Sequence, residues 1–280
     1  FQDMNHEHSI HALIKLVDDP DEFVFEHVRD KLTSYGIEAI PYLESSWENE
    51  HYGLIFHARI EQIIHEIQFN EVKINLKNWS KSPEKDLLQG AIIIAKYQYP
   101  GLDETKIHKT IEEIRRDVWL ELNEKQTAFE QVKIFNRIFF DTHHFHGDSK
   151  NFGSPTNSFI NTVIESKKGN PLSLSLLYSV IAQSLKLPIY GVNLPNHFVL
   201  AYMDETGVLS FVPKDKGNYG VLFYINPFSK GSIFNENSIH EFLQNLKLPF
   251  HREYFEPCSN TAIIKRMITN LIASFQQVGN

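Results

Sequence analysis

Apolar positions recur at three- and four-residue spacing through the first half of the chain, the pattern of helices that bury one face. Ile10, Leu13, Ile14, Leu16 and Val17 form the first such stripe, closed by Asp18-Asp19-Pro20. A second helix is predicted over 21–35, with Phe23, Val24, Val28 and Leu32 on its buried face and Gly36 just past its end. Residues 37–47, with Pro41 in the first turns, and 54–67 continue the pattern. Residues 70–79 fit two periods: Val72, Ile74 and Leu76 alternate as in a strand, and a helix also accommodates them. Residues 85–97 read as a very apolar helix, ended by Pro100-Gly101. Two more helices follow. The first covers 107–122, with Ile111, Ile114, Val118 and Trp119 inward. The second covers 127–140, with Phe129, Val132, Phe135, Ile138 and Phe139 inward.

After about residue 140 the character changes. Residues 141–156 are rich in His, Gly, Ser and Asn and read as a long loop, and 157–166 as a short helix. Asn170-Pro171 opens a helix to about 185: Asn suits the cap, and Pro suits the first helical position because its missing N–H would have no partner there. Short β-rich runs then follow at 189–192, 197–203, 209–213 and 221–226, with a hairpin turn at Gly217-Asn218-Tyr219-Gly220. Helices are predicted again at 238–246 and 261–277, the latter with Ile263, Ile264, Met267, Ile268, Leu271 and Phe275 on one face.

This order predicts an α+β protein. An all-helical domain spans 1–140, a core with a small antiparallel sheet spans 141–235, and a helical segment packing on that core spans 236–280. The short N-terminal helices, joined by Asp-Pro and Gly breaks, resemble one or two HEAT-like pairs, without a clean internal period.

Charge and composition narrow the function classes. Twenty-seven Lys and Arg against 35 Asp and Glu give a formal charge of −8, which argues against a nonspecific nucleic-acid binder. No stretch approaches 18 uninterrupted apolar residues, so no membrane span is expected. The single cysteine, Cys258, excludes an internal disulfide framework and fits a cytoplasmic location. The chain opens on Phe1, so residues are expected upstream and a missing signal peptide carries no weight. There is no Walker sequence, GxGxxG, HExxH or GxSxG, and no cofactor is expected.

The candidate chemistry lies in Gly169-Asn170-Pro171-Leu172-Ser173, Pro195-Asn196-His197-Phe198 and Ile225-Asn226-Pro227-Phe228. A helix N-terminus, then a histidine on one strand, then an Asn on a later strand, is similar to the core of the transglutaminase-like, papain-related superfamily. More narrowly, these segments resemble its bacterial SirB-type branch. Phe135-Asn136-Arg137, Gln98-Tyr99-Pro100-Gly101, Pro155-Thr156-Asn157-Ser158 and Lys265-Arg266-Met267 fit the same resemblance, which covers most of the chain. It implies His197 as base and Asn226 as the group that orients it, although the branch pattern has Asp at that place. It also implies a nucleophilic Cys near Pro171 or Leu172, and neither residue can attack an acyl group. Ser173 offers the nearest hydroxyl, either as a nucleophile activated by His197 or as a first-turn serine bonding the cap. Asn157, Ser158, Asn170, Pro195 and Phe198 are the accompanying binding candidates.

A second cluster, His143, His144, His146 and Asp148, has ligand types that suit a divalent metal, but adjacent histidines seldom point the same way. The reading reached from sequence is a transglutaminase-like protein without the nucleophile, serving as a binding module for a peptide, protein or small ligand. The alternative is a hydrolase or acyltransferase using His197 with Ser173 or an activated water. A protein or peptide partner is expected, with neither nucleic acid nor membrane, and the sequence leaves the oligomeric state open.

Overall fold

A computed structural model describes residues 2–48, 52–205 and 219–279. The predicted strand at 209–213 lies outside the described residues, as do Gly217 and Asn218 of the predicted turn. The chain forms two compact units. One comprises residues 1–81 and 96–100, the other 82–95 and 101–280. Helix alone therefore does not mark the boundary: helical structure continues to Thr142, well inside the second unit.

The first unit contains α1 (Gln2–Ile14), α2 (Glu22–Ser34), a 3-10 turn (Gly36–Ala39), α3 (Ile40–Trp47) and α4 (Leu54–Lys81). Asp21 caps α2 by accepting from the Phe23 amide, and Gly36 ends it at φ +63°, a conformation that a Cβ would strain. Its core joins Ile14, Phe25, Val28, Leu32, Leu43, Phe56, Ile60 and Ile63. Phe25 is the buried ring of α2, whereas Phe23, expected inward, is 67% exposed. Val28 and Leu32 lie one and two turns beyond Phe25 at helical spacing, and Phe23 falls off that stripe. Arg59 on α4 closes the end of α1: its guanidinium donates to the carbonyls of Val17 (2.9 Å) and Asp19 (2.7 Å) and lies over the Phe25 ring. Residues 70–79 are helical, in the C-terminal part of α4. Their alternation is not the period that is buried: Val72, Asn75, Leu76 and Trp79 face inward at least in part, while Ile74 is exposed.

Helix α5 (Leu87–Gln98) precedes α6 (Glu104–Trp119) and α7 (Ala128–Asn136). In α6 the buried face is Ile107, Ile111, Ile114 and Val118, and Trp119, expected inward, is exposed because it falls one position beyond that stripe. Phe129 in the first turn of α7 is also largely exposed, and Lys133 lies over its ring. The end of α7 widens into a π turn (Arg137–Thr142), which lets three consecutive apolar residues, Ile138, Phe139 and Phe140, all be buried.

Helix α8 (Ile160–Ser166) leads to α9 (Pro171–Ser184), the central helix of the second unit. Eleven of its residues between Pro171 and Ala182 are buried, so it is apolar all round and walled by other elements. It packs on α6, α8, and the strands β3 (Ile189–Leu194) and β4 (His197–Met203). These strands continue through β5 (Val221–Asn226) to β6 (Ser232–Phe234) in an antiparallel meander of order β3-β4-β5-β6. The sequence reading did not include β6, a strand of three residues. A parallel pairing of β1 (His146–Gly147) with β2 (Lys168–Gly169) ties the polar loop to the approach of α9. Helix α10 (Glu236–Asn245) places Ile239 and Leu243 in a core with Val192, Val199 and Tyr224, and α11 (Asn260–Val278) closes the chain. The α+β class and the small antiparallel sheet are as the sequence indicates.

Candidate functional site

The site begins with a turn. Register pairs Leu194 with His197, so Pro195 and Asn196 are the central residues of the β3–β4 hairpin. Proline pre-sets the first central φ, and Asn196 takes φ +56°, which Asn tolerates. This sets His197 as the first paired residue of β4. Alternation along the strand puts His197 on the same face as Val199, and the β4–β5 register, which pairs Leu200 with Ile225, would set Val199 opposite Asn226 if continued one residue. His197 and Asn226 are thus diagonal neighbours on one face, a pairing that long and aromatic side chains can bridge. Burial lowers the imidazole pKa below its ordinary value; the Asn226 side chain, as a hydrogen-bonding neighbour, works against this, and the Arg266 charge adds to it. The ring is therefore held in its neutral form at pH 7. Asn226 also caps the turn after β5, accepting from the Phe228 amide at 3.1 Å.

At the start of α9 the Gly-Asn-Pro-Leu-Ser run is a closed helix cap. Asn170 Oδ1 accepts from the Ser173 amide at 2.9 Å, and Ser173 Oγ accepts from the Asn170 amide at 3.0 Å, a reciprocal capping box. The Ser173 hydroxyl proton goes to the Asn157 carbonyl at 2.6 Å. Asn170 Nδ2 donates to Ser158 Oγ at 2.9 Å, and Asn157 Nδ2 donates to the Asn151 carbonyl at 2.7 Å. Asn157, Ser158, Asn170 and Ser173 are all buried. Gly169 completes the arrangement: a Cβ there would lie 2.7 Å from Ser173 Oγ.

The cap and the hairpin border one cavity of about 360 Å³, a size that suits a small ligand or a few peptide residues. Asn170, Pro171 and Leu172 form one wall, and Asn196, His197 and Phe198 another. Helix α11 closes it with Arg266, Asn270 and Gln277, and the polar loop supplies Phe152 and Gly153. Of the residues expected from sequence, His197, Asn170 and Phe198 line this cavity. Ser173, Asn157 and Ser158 lie behind the wall and brace it, and Pro195 shapes the hairpin. The wall thus holds Pro171 and Leu172, near which the sequence resemblance implies a nucleophile, and the hydroxyl of Ser173 is committed to the cap. Cys258 does not line the cavity; burial pushes its thiol up to about 11, so it is protonated at neutral pH.

The histidine loop does not converge. His143 Nε2 lies 2.9 Å from Asp117 Oδ2, His146 Nδ1 contacts the His144 carbonyl, and Asp148 accepts from the Asn151 amide at 3.1 Å. Burial disfavours the Asp148 carboxylate, but hydrogen bonds from Asn151 and Asn157 outweigh this and hold its pKa below the ordinary value. Among the described residues no three His, Cys, Asp or Glu side chains are grouped to hold a metal ion.

Sequence reasoning missed the α11 wall. Arg266 donates from Nη1 to Asn193 Oδ1 at 2.8 Å and from Nε to Asn270 Oδ1 at 3.2 Å, which fixes the helix against the hairpin. A signal was present: Arg266 and Asn270 are one turn apart, and each directly adjoins a residue of the buried stripe, Met267 and Leu271.

Comparison with known proteins gives the same core. A family model described as the transglutaminase-like superfamily matches residues 105–269. The chain is 29% identical over 137 residues to a UPF0162 protein of Xylella fastidiosa, covering 47% of each chain. It is 24% identical over 189 residues to a UPF0162 protein of Vibrio cholerae, covering 66% of this chain and 65% of that one. It is also 24% identical over 195 residues to F-box only protein 21 of Mus musculus, covering 61% of this chain and 30% of that one. The chain therefore spans between about half and two-thirds of the bacterial relatives named here. No solved structure matches it. The family match extends over more than half of the chain and includes the α9 cap, the His197 strand and Asn226: the chain belongs to the transglutaminase-like superfamily.

Proposed function

We propose that this protein is a non-catalytic, SirB-type member of the superfamily, whose cleft binds a peptide, protein segment or small ligand without acyl transfer. One observation carries the reading. At the first turn of α9 the residues facing the cavity are Pro171 and Leu172, and the nearest hydroxyl, Ser173, is consumed by the capping box. A nucleophile needs a base within hydrogen-bond reach and a free path to substrate, and Ser173 has neither in this arrangement. The helical unit supplies a candidate partner surface, since Phe23, Ile37, Leu54 and Ile55 are exposed there. With one cysteine, and no helix among the described residues long and apolar enough to cross a membrane, a cytoplasmic setting is the one we propose.

The test uses the full chain. Acyl-phosphonate and chloroacetamide probes are expected to leave it unlabelled, while a panel of immobilised peptides is retained by the wild type and released by His197→Ala at unchanged circular dichroism. Stoichiometric labelling at a cavity residue, as distinct from Cys258, would overturn the reading. A second reading keeps one supporting observation: burial holds His197 neutral, the form in which it can activate a water. It predicts ester or amide turnover that disappears in His197→Ala and persists in Ser173→Ala.

A further inference from the structure

Arg266 is a half-buried cation without an anionic neighbour. Its bonds go to neutral acceptors, the Asn193 and Asn270 amides and the Leu194 carbonyl, and it forms no ion pair among the described residues. No Asp or Glu lines the cavity it faces, although the chain has an acidic excess of eight. Partly desolvating a guanidinium is costly unless an anion repays it. The residues around it add donors and no negative charge. Nη1 and Nε are occupied by the bonds named, so Nη2 is the part of the guanidinium left to reach a ligand. Leu172, second residue of α9, belongs to the first turn, where amides lack helical partners, and it borders the same cavity. His197 lines the same cavity, its neutral ring hydrogen-bonded to Asn226.

We propose that this cavity is an oxyanion pocket that takes the carboxylate of its ligand, with Arg266 as the anchoring cation and the α9 first turn as the accessory donor. The inference deepens the binding reading of the cleft and rests on it. A carboxylate can come from a peptide C-terminus or from a free organic acid. Both present a charged oxygen that Nη2 can meet with a charge-assisted hydrogen bond. Arg266 is already pinned by Asn193 and Asn270, so little side-chain freedom remains to be lost on binding.

The experiment is a titration of the full chain, isotopically labelled, followed by NMR at the Leu172 amide and the His197 ring at constant ionic strength. The probes are acetate, inorganic phosphate, acetyl-trialanine with a free C-terminus, and the same tripeptide as its amide. The expected result is saturable binding of the free-acid tripeptide, at least tenfold tighter than its amide, with Arg266→Gln weakening it at least tenfold and bringing the two tripeptides level. Arg266→Lys, which keeps the charge and loses the planar fork, should fall between. If Arg266→Gln does not fold, the acid-to-amide ratio in the wild type decides alone. Saturable binding of acetate or phosphate without either tripeptide supports the oxyanion pocket with a small free anion as its source, and removes the peptide reading. Equal binding of acid and amide overturns the oxyanion proposal and leaves the peptide reading standing. Shifts that rise linearly with every probe, and equally in Arg266→Gln, overturn both.

Discussion

Replacing Ser173 by alanine separates a cap from a nucleophile, because the two roles predict opposite effects on stability. As a cap, Ser173 Oγ accepts from the Asn170 amide at 3.0 Å and donates to the Asn157 carbonyl at 2.6 Å, at a site only 4% exposed. Ser173→Ala removes both bonds at once. The Asn170 amide keeps a longer contact with the Asn157 carbonyl at 3.3 Å, so part of the loss is recovered. Each buried bond contributes about 0.5–1.5 kcal/mol net, which puts the expected destabilisation at about 1–2 kcal/mol. In a unit of this size each kcal/mol lowers the melting temperature by about 2–4 °C, so the transition should move down by roughly 2–8 °C. Asn170→Ala should cost a comparable amount, since it removes the bond to the Ser173 amide together with the one to Ser158. The double variant should then lose less than the sum of the two, because one capping box is broken only once. Thermal unfolding by differential scanning calorimetry reads all three variants. A catalytic serine is expected to behave otherwise, its removal being neutral or stabilising. A melting temperature within a degree of wild type, or above it, together with lost labelling or turnover, would refute the cap assignment.

Three further outcomes follow from the same geometry. His197 should titrate below its ordinary value of 6.5, because burial penalises the charged ring; its stabilising contribution is then complete above about pH 6.5 and lost as pH falls toward the folded-state value. Melting of wild type against His197→Gln between pH 8 and 5 should show the wild type losing more, and a resonance assigned to His197 that titrates above 6.5 would contradict this. Cys258, raised to about 11, should react with a disulfide reagent at pH 8 roughly a hundredfold more slowly than an unperturbed thiol, and a normal rate would show that the thiol is not buried. Gly231→Ala should destabilise by about 1–3 kcal/mol, read as a lowered melting temperature. It sits at φ +69°, and its Cβ would collide with Asn136, the residue that accepts from Tyr178 and donates to the Gly231 carbonyl.

The sequence carried the helical half and the cap because both are local. The Asn170-Pro171 start, the Gly36 stop and the apolar runs of α5 and α9 follow from backbone preferences and short-range spacing. Side-chain facing was less legible at element ends. Phe23, Trp119 and Phe129 are large and apolar, yet each lies near a helix terminus where the buried stripe runs past it or has not begun. Alternation over 70–79 competed with a helical face of Val72, Asn75, Leu76 and Trp79, in which an asparagine hides the period. The strand β6 is too short to show a pattern at all. The site divides in the same way. His197 and Asn226 were legible through the family resemblance, and the strand register makes them neighbours. Arg266 falls in a segment that fits the resemblance but was not legible as a cavity residue, since it comes to the cavity from a helix more than sixty residues away in the chain, and spacing along one segment cannot register that meeting.

The two halves of the site constrain one another. The superfamily resemblance implies a nucleophile at this helix start, where an open first turn could activate it. Here the polar atoms of Asn157, Ser158, Asn170 and Ser173 are bonded to each other, behind the wall. That spends the hydrogen bonds of the motif on rigidity, and leaves proline and leucine at the surface of the cavity. What still faces the cavity includes two groups that suit an anion, a pinned guanidinium and the first turn of a buried helix. A nucleophile would have to be supplied at Pro171 or Leu172, and a Cys at either position alone would not restore acyl transfer. The Pro171 substitution would lose the residue that pre-sets the first helical φ. The Leu172 substitution would place a thiol beside His197, but with Asn226 in place of a charged orienting group to stabilise the imidazolium that thiolate formation requires. On the reading proposed, the cleft serves recognition rather than turnover, at the helix start where the superfamily resemblance would place a nucleophile.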